Sequence, residues 1–366
     1  MKQNSQSLNN RRIKIFFFVP SLRAGGAERV VAFISQKIDK SKFEAILYVI
    51  GSKKDATFEV LNVKIEFLNH ERVSRSFISV CKTIINGKPN IVFGTIGHLN
   101  LMLGLCKILF PKIVFIGREV NVISKLAEVR NSKPTLPPWI NEYLLQKLDV
   151  MICQSIDMAE DIEKLYNLRK DKISIINNPI SDSYKLKNQT EEKNKILKLI
   201  TVGSLTSRKG HLRIIKVLKD LQIPFTYTIV GDGELKEEIY NTIELYSLTE
   251  KVRHIPFSNE VSKLLQEHDL FLLGSFVEGF PNVLLETCAV GTPVIAFNAP
   301  GGINEIIIDD VNGFIANSHA EYLEKIKRGS IKNWDIMKVR EAVTTRYNET
   351  KIISDYENLF LSKINR

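Results

Sequence analysis

The chain has 366 residues, of which 44% are hydrophobic, 8% are aromatic and 25% are charged. These values are typical of soluble globular proteins and exclude disorder over most of the chain, while the length exceeds that of one ordinary domain. A net charge of +10 favours acidic partners, but charge alone does not separate nucleic acid, anionic lipid and phosphorylated small molecules.

The termini and the cysteines indicate an intracellular protein without a membrane span. Residues 1–11 are polar and basic and lack the apolar core of a secretory signal, so we expect a flexible tail. The longest apolar stretch is broken by Lys107, Pro111 and Lys112, which favours a buried helix, a turn and a strand. The four cysteines stand far apart in apolar segments, as reduced core residues do.

Short β-branched and aromatic runs alternate with helical segments along the first half of the chain. This alternation is typical of parallel sheets with crossover helices, and runs that are apolar on both faces predict helices above and below the sheet. The first series of strands is predicted at 13–19, 43–50, 63–68, 90–94, 112–116, 150–153 and 173–177.

A polar, charged segment at 181–195 then separates two series of strands. The second series is predicted at 196–203, 225–231, 252–255, 270–274 and 293–297, and the chain is helical from about residue 318. We therefore predict an α/β protein with two doubly wound, Rossmann-like domains that face each other across a cleft. The first spans 12–178, the second spans 179–335, and C-terminal helices at 336–366 are expected to return to the first domain.

Ligands of open α/β sheets bind beyond the carboxyl ends of the strands, so the loops there are candidate sites. After the first strand, S-L-R-A-G-G-A-E-R-V places Gly25 and Gly26 where backbone amides could approach an anion or a sugar. The motif matches neither the dinucleotide nor the Walker pattern, which argues against a nicotinamide enzyme or an NTPase. An ordinary tight turn remains the alternative.

Two loops of the second half have similar features. V-G-S-L-T-S-R-K-G-H contains Gly203 and sets Arg208 and Lys209 at a helix N-terminus, where adjacent cations are disfavoured unless a phosphate binds between them and the amides. Two solvated surface bases are the alternative. V-G-D-G-E-L places Gly233 where the backbone could contact a flat ligand such as a base, although turn chemistry explains it as well.

The stretch E-G-F-P-N-V-L-L-E carries two acids around a predicted helix start. Pro281 suits the first helical position, so the amides of Asn282 and Val283 point out of the helix. Glu278 is then in the loop and Glu286 lies about one and a half turns into the helix. An ionised carboxylate is a natural partner for the hydroxyl pairs of a sugar.

This stretch resembles the E-x7-E signature of the retaining glycosyltransferases of family 4, which have the GT-B architecture of two Rossmann-like domains around the active site. The resemblance extends along most of the chain, through R-A-G-G-A-E-R-V, I-I-N-N-P, V-G-S-L-T-S-R-K-G, V-G-D-G-E-L, G-T-P-V-I-A and P-G-G-I-N-E-I-I. In this order the motifs are highly specific.

The resemblance implies a role for each motif. Glu278 would face the hydroxyls of the donor sugar, Glu286 would hold the ribose, and Lys209 with Arg208 would neutralise the diphosphate leaving group. The C-terminal helix of the family commonly crosses back to the first domain. The other implied donor-binding positions are Gly25, Gly26, Gly203, Gly233, Phe280, Pro281, Asn282 and Val283.

The chain departs from the family pattern at two positions. Many relatives have Arg where this chain has Ser204, and many have His where G-R-E-V-N has Val120. His98, in a loop of the first domain, is a candidate for the missing His, although a lone His is more often structural. Arg118 and Glu119 are further candidates on the acceptor side.

The expected function is that of a retaining hexosyltransferase. It would move a hexose or N-acetylhexosamine from a nucleotide diphosphate sugar, with a UDP-sugar as the expected donor, to a lipid-linked or saccharide acceptor in the synthesis of a surface polysaccharide such as O-antigen or capsule. The chain contains no D-x-D, so we expect neither a metal nor another cofactor. The alternative is an inactive nucleotide-sugar-binding protein of the same fold.

The location and partners follow from charge. The basic N-terminus and the apolar, basic stretch S-V-C-K-T-I-I-N-G-K-P suit an anionic membrane surface, so we expect a cytoplasmic protein that is peripheral on the inner face of the cytoplasmic membrane. Nucleic acid is not an expected partner, because the chain lacks a motif in which aromatic and basic residues interleave.

Overall fold

The computed structural model describes residues 12–23, 25–131, 136–188 and 196–364. These residues form two parallel β-sheets with crossover helices, as the alternating pattern predicts. The predicted tail at 1–11 lies outside the described residues, as does 189–195 of the charged segment between the domains.

The first sheet has seven parallel strands in the order β3-β2-β1-β4-β5-β6-β7. Its strands are β1 (Ile13–Val19), β2 (Phe43–Val49), β3 (Lys64–Phe67), β4 (Ile91–Thr95), β5 (Val114–Arg118), β6 (Val150–Cys153) and β7 (Ile173–Ile175). The helices between them are α1 (Gly26–Lys37), α2 (Phe77–Gly87), α3 (Gly97–Leu109), α4 (Ile123–Arg130), α5 (Pro138–Lys147) and α6 (Ile156–Tyr166).

Strand β1 shows why its sequence is an unbroken apolar run. Successive side chains of a strand point to opposite faces of the sheet. Phe17 therefore packs in the core on one face, while Phe16 and Phe18 pack in the core on the other. All three rings are fully buried, so a strand that alternated apolar with polar residues would bury polar side chains in one of the two cores.

The second sheet has six parallel strands in the order β10-β9-β8-β11-β12-β13. Its strands are β8 (Leu197–Val202), β9 (Phe225–Val230), β10 (Val252–Ile255), β11 (Leu270–Leu273), β12 (Val294–Phe297) and β13 (Gly313–Ala316). Its helices are α7 (His211–Leu218), α8 (Lys236–Leu245), α9 (Val261–Gln266), α10 (Asn282–Ala289), α11 (Ile303–Ile306) and α12 (His319–Ile331).

All twelve predicted strands are present, with ends within two residues of those predicted. Strand β13 was not predicted. It has four residues, G-F-I-A, and an apolar run that begins at a glycine and is this short carries little signal of its own. It forms an edge of the sheet by pairing with β12, a contact that is set by the tertiary structure.

The last two helices, α13 (Ile336–Tyr347) and α14 (Glu349–Ile364), pack on different domains. Val339 and Val343 of α13 lie in the core of the second domain. Tyr356 and Phe360 of α14 lie in the core of the first, where the ring of Phe360 contacts that of Phe17. The chain therefore crosses between the domains at Asn348, which lies between the two helices.

The carboxyl ends of the two sheets face each other. The loops after β1 and β5 meet the loops after β8 and β11, and α4 of the first domain contacts the turn at 207–209 of the second. The loops picked out in the sequence therefore line one cleft. No helix in the described part of the chain is long and apolar enough to cross a bilayer.

Candidate active site

Glu278 lies in the loop between β11 and α10 and is only 4% exposed. Its Oε2 accepts a hydrogen bond from Nη1 of Arg208 at 2.9 Å, and its Oε1 accepts one from Nζ of Lys209 at 2.6 Å. The hydroxyl of Ser275 donates to the same Oε1 at 2.5 Å. Two cations and one carboxylate leave a net charge of about +1 at this point of the cleft, which favours an anion.

These contacts decide the charge state of Glu278. Burial by itself pushes the pKa of a carboxyl upward, but the charges of Lys209 and Arg208, with the hydrogen bonds from Lys209 and Ser275, outweigh it and hold the pKa of Glu278 at about 2. Glu278 is therefore ionised at neutral pH and accepts hydrogen bonds. Burial lowers the pKa of Lys209, while the charge of Glu278 opposes that shift.

The two cations are positioned by a short 3₁₀ turn, Ser207–Lys209, ahead of helix α7. Gly210 follows the turn with φ +61, a conformation that side chains rarely adopt, and a Cβ there would lie 2.8 Å from the carbonyl carbon of Gly274. The glycine lets the turn pack against the end of β11, where Glu278 follows. The imidazole of His211 supports the loop, because its Nε2 bonds the carbonyl oxygen of Ser204 at 3.0 Å.

Helix α10 begins at Asn282, one residue later than predicted, because Pro281 is the N-cap. The backbone of Pro281 is extended, with φ −72 and ψ 99. The ring of Phe280 points away from the cleft and packs edge-on against Tyr347, with 5.3 Å between the ring centroids. The carbonyl oxygen of Phe280 accepts from Nδ2 of Asn178 at 3.3 Å, and its role in donor binding stays a prediction. Val283 is half-buried and packs at the edge of the core.

Glu286 lies in the second turn of α10, and the hydroxyl of Tyr184 lies near its carboxylate. Burial raises the pKa of Glu286, and the nearby hydroxyl and the charge of Arg29 oppose the rise. Tyr184 belongs to the connection between the domains, and Arg29 belongs to α1 of the first domain. The predicted ribose-binding acid therefore has neighbours from two other segments of the chain.

The predicted glycines lie around this group. A Cβ on Gly26 would be 3.3 Å from Nδ2 of Asn282, so the first-domain loop reaches the start of α10. Gly25 is covered by the carboxylate of Glu28, which folds back over it. A Cβ on Gly203 would lie 3.7 Å from Cε of Lys209, and a Cβ on Gly233 would be 2.6 Å from the carbonyl oxygen of Leu205.

The three acceptor-side candidates differ in their surroundings. His98 is exposed at the start of α3, and partial burial lowers its pKa. Arg118 is completely buried and bonds Asn178, Tyr356 and Thr95, which is at odds with the acceptor-facing role predicted for it. It lies beneath the cleft and cannot meet an acceptor in this arrangement.

Glu119 is 4% exposed at the end of β5. Burial raises its pKa to about 7, although the backbone N–H of Val120 donates to its Oε1 at 2.9 Å. The next residue, Val120, touches the donor loop: a Cβ on Gly279 would lie 2.7 Å from the carbonyl carbon of Val120. Glu119 is thus close to the donor loop and is partly protonated at neutral pH.

A polar pocket of about 480 Å³ opens between the domains next to this site. It is bounded by α4 and α6 of the first domain and by residues 298–304 of the second. Asp161 holds the wall in place, because its carboxylate accepts from the hydroxyl of Ser124 at 2.5 Å and from the backbone N–H of Ser124 at 3.1 Å. Pro300, another lining residue, accepts from the backbone N–H of Glu278 at 2.9 Å.

Sequence reasoning missed three residues of the site: Ser275, Asn178 and Tyr184. Ser275 follows an apolar strand, as many loop serines do, so it had no distinctive pattern. Asn178 was part of the quoted motif I-I-N-N-P, to whose asparagines no role was assigned. Tyr184 lies in a charged segment that was interpreted as a connection. In the residues that the structure describes, no group of three His, Cys, Asp or Glu side chains could hold a metal ion.

Residues 182–339 match the family model described as "Glycosyl transferases group 1". A curated relative from Campylobacter jejuni, N-acetylgalactosamine-N,N'-diacetylbacillosaminyl-diphospho-undecaprenol 4-alpha-N-acetylgalactosaminyltransferase, is 26% identical over 319 residues, which cover 82% of this chain and 85% of the relative. A putative colanic acid biosynthesis glycosyltransferase of Escherichia coli, WcaL, is 27% identical over 300 residues, 76% of this chain and 70% of the relative.

Among solved structures, HepE of Anabaena in complex with UDP superposes with a TM-score of 0.78 at 18% identity, over 96% of this chain and 100% of that one. At this identity the likeness shows the fold, and it confirms the predicted GT-B architecture of two facing Rossmann-like domains. The matched domain and the relatives that extend over most of the chain confirm the predicted resemblance to the group 1 glycosyltransferases, a family whose members transfer sugars.

Proposed function

We propose that the protein is a retaining, metal-independent hexosyltransferase. It moves a hexose or N-acetylhexosamine from a UDP-sugar to a lipid-linked or saccharide acceptor in the synthesis of a bacterial surface polysaccharide. The observation that carries the donor part is the buried carboxylate of Glu278, which is paired with Arg208 and Lys209 at the start of α10. The names of the relatives, which include a transferase acting on a diphospho-undecaprenol-linked saccharide, support the acceptor part.

The charges of the site suit departure of a diphosphate. When the bond between the anomeric carbon and the phosphate oxygen breaks, its electron pair stays on the diphosphate, and Lys209 and Arg208 stabilise the negative charge that develops. Their positions are set before the reaction by Glu278, so little reorganisation is needed. Because Glu278 stays ionised, it does not act as a proton donor and instead accepts from hydroxyls of the donor sugar.

Retention requires the acceptor oxygen to attack the face of the sugar from which the diphosphate leaves. The polar pocket between the domains adjoins Pro300 and hence the Glu278 loop, so it offers a place for the acceptor saccharide on the first-domain side. Asp161, Ser124, Asn298 and Asn304 line it with hydrogen-bonding groups, which suits a polyhydroxylated ligand. Direct contact of the domains at this point would exclude water from the reacting carbon.

The outer surface of the first domain supports binding of the enzyme to a membrane. Helix α3 packs against α5, and Cys106 of α3 lies beside Cys81 of α2, so the three helices are neighbours. Together they form what we call the apolar–basic face, which has both exposed apolar side chains and lysines. Its apolar members are Ile78, Ile85, Leu105, Ile108, Leu109, Trp139 and Tyr143, and its exposed lysines are Lys82, Lys88 and Lys112.

Apolar side chains in an exposed patch cost free energy in water, and adjacent lysines are attracted to anionic lipid by about 1 kcal/mol each. We therefore place the enzyme on the inner face of the cytoplasmic membrane, with the apolar–basic face toward lipid. Sedimentation with vesicles of phosphatidylglycerol and phosphatidylcholine tests this. Ile78→Ser with Leu109→Ser should reduce binding, and equal binding of this variant and the wild type would contradict the placement.

The transfer reaction is tested by a screen of UDP- and GDP-sugars for turnover by the purified protein, with and without EDTA. We expect turnover with one donor, insensitivity to EDTA, and a product in which NMR shows the anomeric configuration of the donor. A nucleotide that binds without any turnover would instead support the inactive binding protein. Inversion at the anomeric carbon or a requirement for metal would overturn the corresponding part of the proposal.

A further inference from the structure

Arg118 is a fully buried cation whose hydrogen-bond partners are all neutral. Its Nη2 donates to Oδ1 of Asn178 at 2.5 Å, its Nε donates to the hydroxyl of Tyr356 at 3.2 Å, and its Nη1 reaches Oγ1 of Thr95 at 3.5 Å. Tyr356 belongs to α14, the helix that crosses back from the second domain. Burying a guanidinium is unfavourable unless its donors are used; these three bonds use them, and the carboxylates of Glu28 and Glu119 are near enough to interact with its charge.

Asn178, which is 3% exposed, can adopt only one amide orientation here. Arginine has donors and no acceptor, so the atom of Asn178 that faces Arg118 must be the oxygen. On its other side, Asn178 donates through Nδ2 to the carbonyl oxygen of Phe280 at 3.3 Å, and a carbonyl oxygen only accepts. Both neighbours therefore require the same orientation of the amide.

The same Nδ2 of Asn178 donates to Oδ1 of Asn282 at 2.6 Å. The amide of Asn282 is oriented in turn, since its oxygen must face Asn178. Its Nδ2 then points to the opposite side, toward Gly26 in the loop of the first domain. Within the described residues this NH₂ group has no protein acceptor, and Asn282 is the first residue of α10, the helix that follows the Glu278 loop.

We propose that Arg118 is a positioning residue that acts through Asn178 to hold the Asn282 amide with its N–H donors toward the cleft, where they bind an oxygen of the donor diphosphate. This inference rests on the proposed function, because it assumes a nucleotide-sugar in the cleft. The hydrogen bonds from Arg118 to Asn178 and from Asn178 to Asn282 form a relay. The first pair is 60 positions apart in the chain and the second pair is 104 positions apart. The relay runs from β5 of the first domain, through Asn178, to the start of α10.

Asn282→Asp separates this role from a structural one. The carboxylate can still accept from Asn178, and a negative charge in the first turn of a helix is favourable, so stability should not fall. Its second oxygen replaces the N–H donors and repels a diphosphate. The affinity for UDP, measured by calorimetry, should fall by about 10- to 100-fold, the range for a hydrogen bond to a charged group. The affinity for uridine, which has no phosphate, should be unchanged.

Asn241→Asp is the matched control, because it adds the same charge on an exposed position of α8 in the same domain. It should leave the affinity for UDP within about twofold of the wild type. A fall in the affinity of Asn282→Asp for uridine as large as for UDP, or no fall for either, would overturn the assignment to the diphosphate.

The part played by Arg118 is tested by a double-mutant cycle. Arg118→Lys keeps the charge but cannot make all three hydrogen bonds, so the affinity for UDP should fall. In an Asn282→Ala background the same substitution should have little further effect, since the group on which it acts is gone. Equal effects in both backgrounds would show that Arg118 does not act through Asn282. Where Arg118→Lys does not fold, Asn178→Asp replaces it in the cycle, because this variant can still accept from Arg118 but cannot donate to Asn282.

The proposed function fails separately from this inference. If the wild type binds neither UDP nor GDP and turns over no donor of the screen, the proposed function is wrong and the inference falls with it. If the wild type binds UDP and Asn282→Asp binds it equally well, only the inference is wrong.

Discussion

Replacement of Glu278 by glutamine should destabilise the second domain by a predictable amount. Folding lowers the pKa of this carboxyl from 4.5 to about 2, because Lys209 and Arg208 outweigh the cost of burial. At ~1.4 kcal/mol for each pH unit, the ionised group stabilises the fold by about 3 kcal/mol at neutral pH. Glutamine keeps the shape but leaves two poorly exposed cations without their counter-charge.

The dependence on pH makes the prediction specific. A group whose pKa is lowered on folding contributes its full stability above its unfolded pKa of 4.5 and loses that contribution as the pH falls toward 2. The wild type should therefore lose about 3 kcal/mol over this interval through Glu278, whereas Glu278→Gln has no such group to titrate. The two proteins should differ most at pH 7 and approach each other in stability near pH 2.

The assay is denaturant unfolding at several pH values, followed by tryptophan fluorescence. The chain has two tryptophans, and Trp334 is buried in the core of the second domain, whereas Trp139 is exposed on α5 of the first. A Trp139→Phe background therefore restricts the signal to the domain that contains Glu278, which matters because two domains need not unfold together.

Glu71→Gln is the control, because it removes the same charge from a side chain that is 89% exposed. It should change the free energy of unfolding by less than about 0.5 kcal/mol. If Glu278→Gln is as stable as this control at pH 7, or if its stability falls between pH 4.5 and 2 as steeply as that of the wild type, the electrostatic account of Glu278 is wrong.

Three further substitutions test the site. Lys209→Met should lower kcat by a factor of about 10² to 10³, because it removes one preorganised group at a developing charge. Lys216→Met, on the exposed side of α7, is the control and should leave kcat unchanged. Equal kcat values for the two variants would contradict the role of Lys209. Gly279→Ala places a methyl 2.7 Å from the carbonyl carbon of Val120, so the two domains cannot close fully. Steady-state kinetics should show reduced turnover, while the melting temperature should change little. Burial raises the pKa of Glu119 to about 7, so this carboxyl group lowers the stability of the fold as the pH rises from 4.5 through 7. Glu119→Gln should therefore gain stability relative to the wild type between pH 5 and pH 8. If the difference in free energy of unfolding between the two proteins stays constant over this range, the raised pKa is wrong.

Much of this architecture could be predicted because its signals are local. The run I-K-I-F-F-F-V is apolar at every position, and such a run fits a strand with both faces buried, as β1 has. Loops after such strands meet at one edge of a parallel sheet, so the motifs around Gly26, Lys209 and Glu278 could be assigned to one cleft before any contact was known. The four-residue strand β13 shows the limit, since it is too short for its pattern to be distinctive.

Other features depended on the tertiary structure. The sequence predicted that Glu278 needs partners, but only the packing of the 3₁₀ turn against the end of β11 shows that Arg208, Lys209 and Ser275 supply them. Arg118 was predicted as an acceptor-side candidate in the segment G-R-E-V-N. It is instead the last residue of β5 and is fully buried, because strand side chains point to the faces of the sheet and both faces of this sheet are covered.

The sequence by itself determined the two doubly wound domains and the loops that form the cleft, because these follow from periodicity and from short contiguous motifs. The resemblance of those motifs to a known family implied the class of reaction. The tertiary structure decided how the polar groups are paired. Asn178 lies in the motif I-I-N-N-P and Asn282 lies at a helix start, and the direction of their side-chain amides depends on Arg118, which lies 60 residues from the first of them. A buried polar group forms its hydrogen bond with whichever partner the fold brings close to it, and the sequence around that group does not indicate which partner this is.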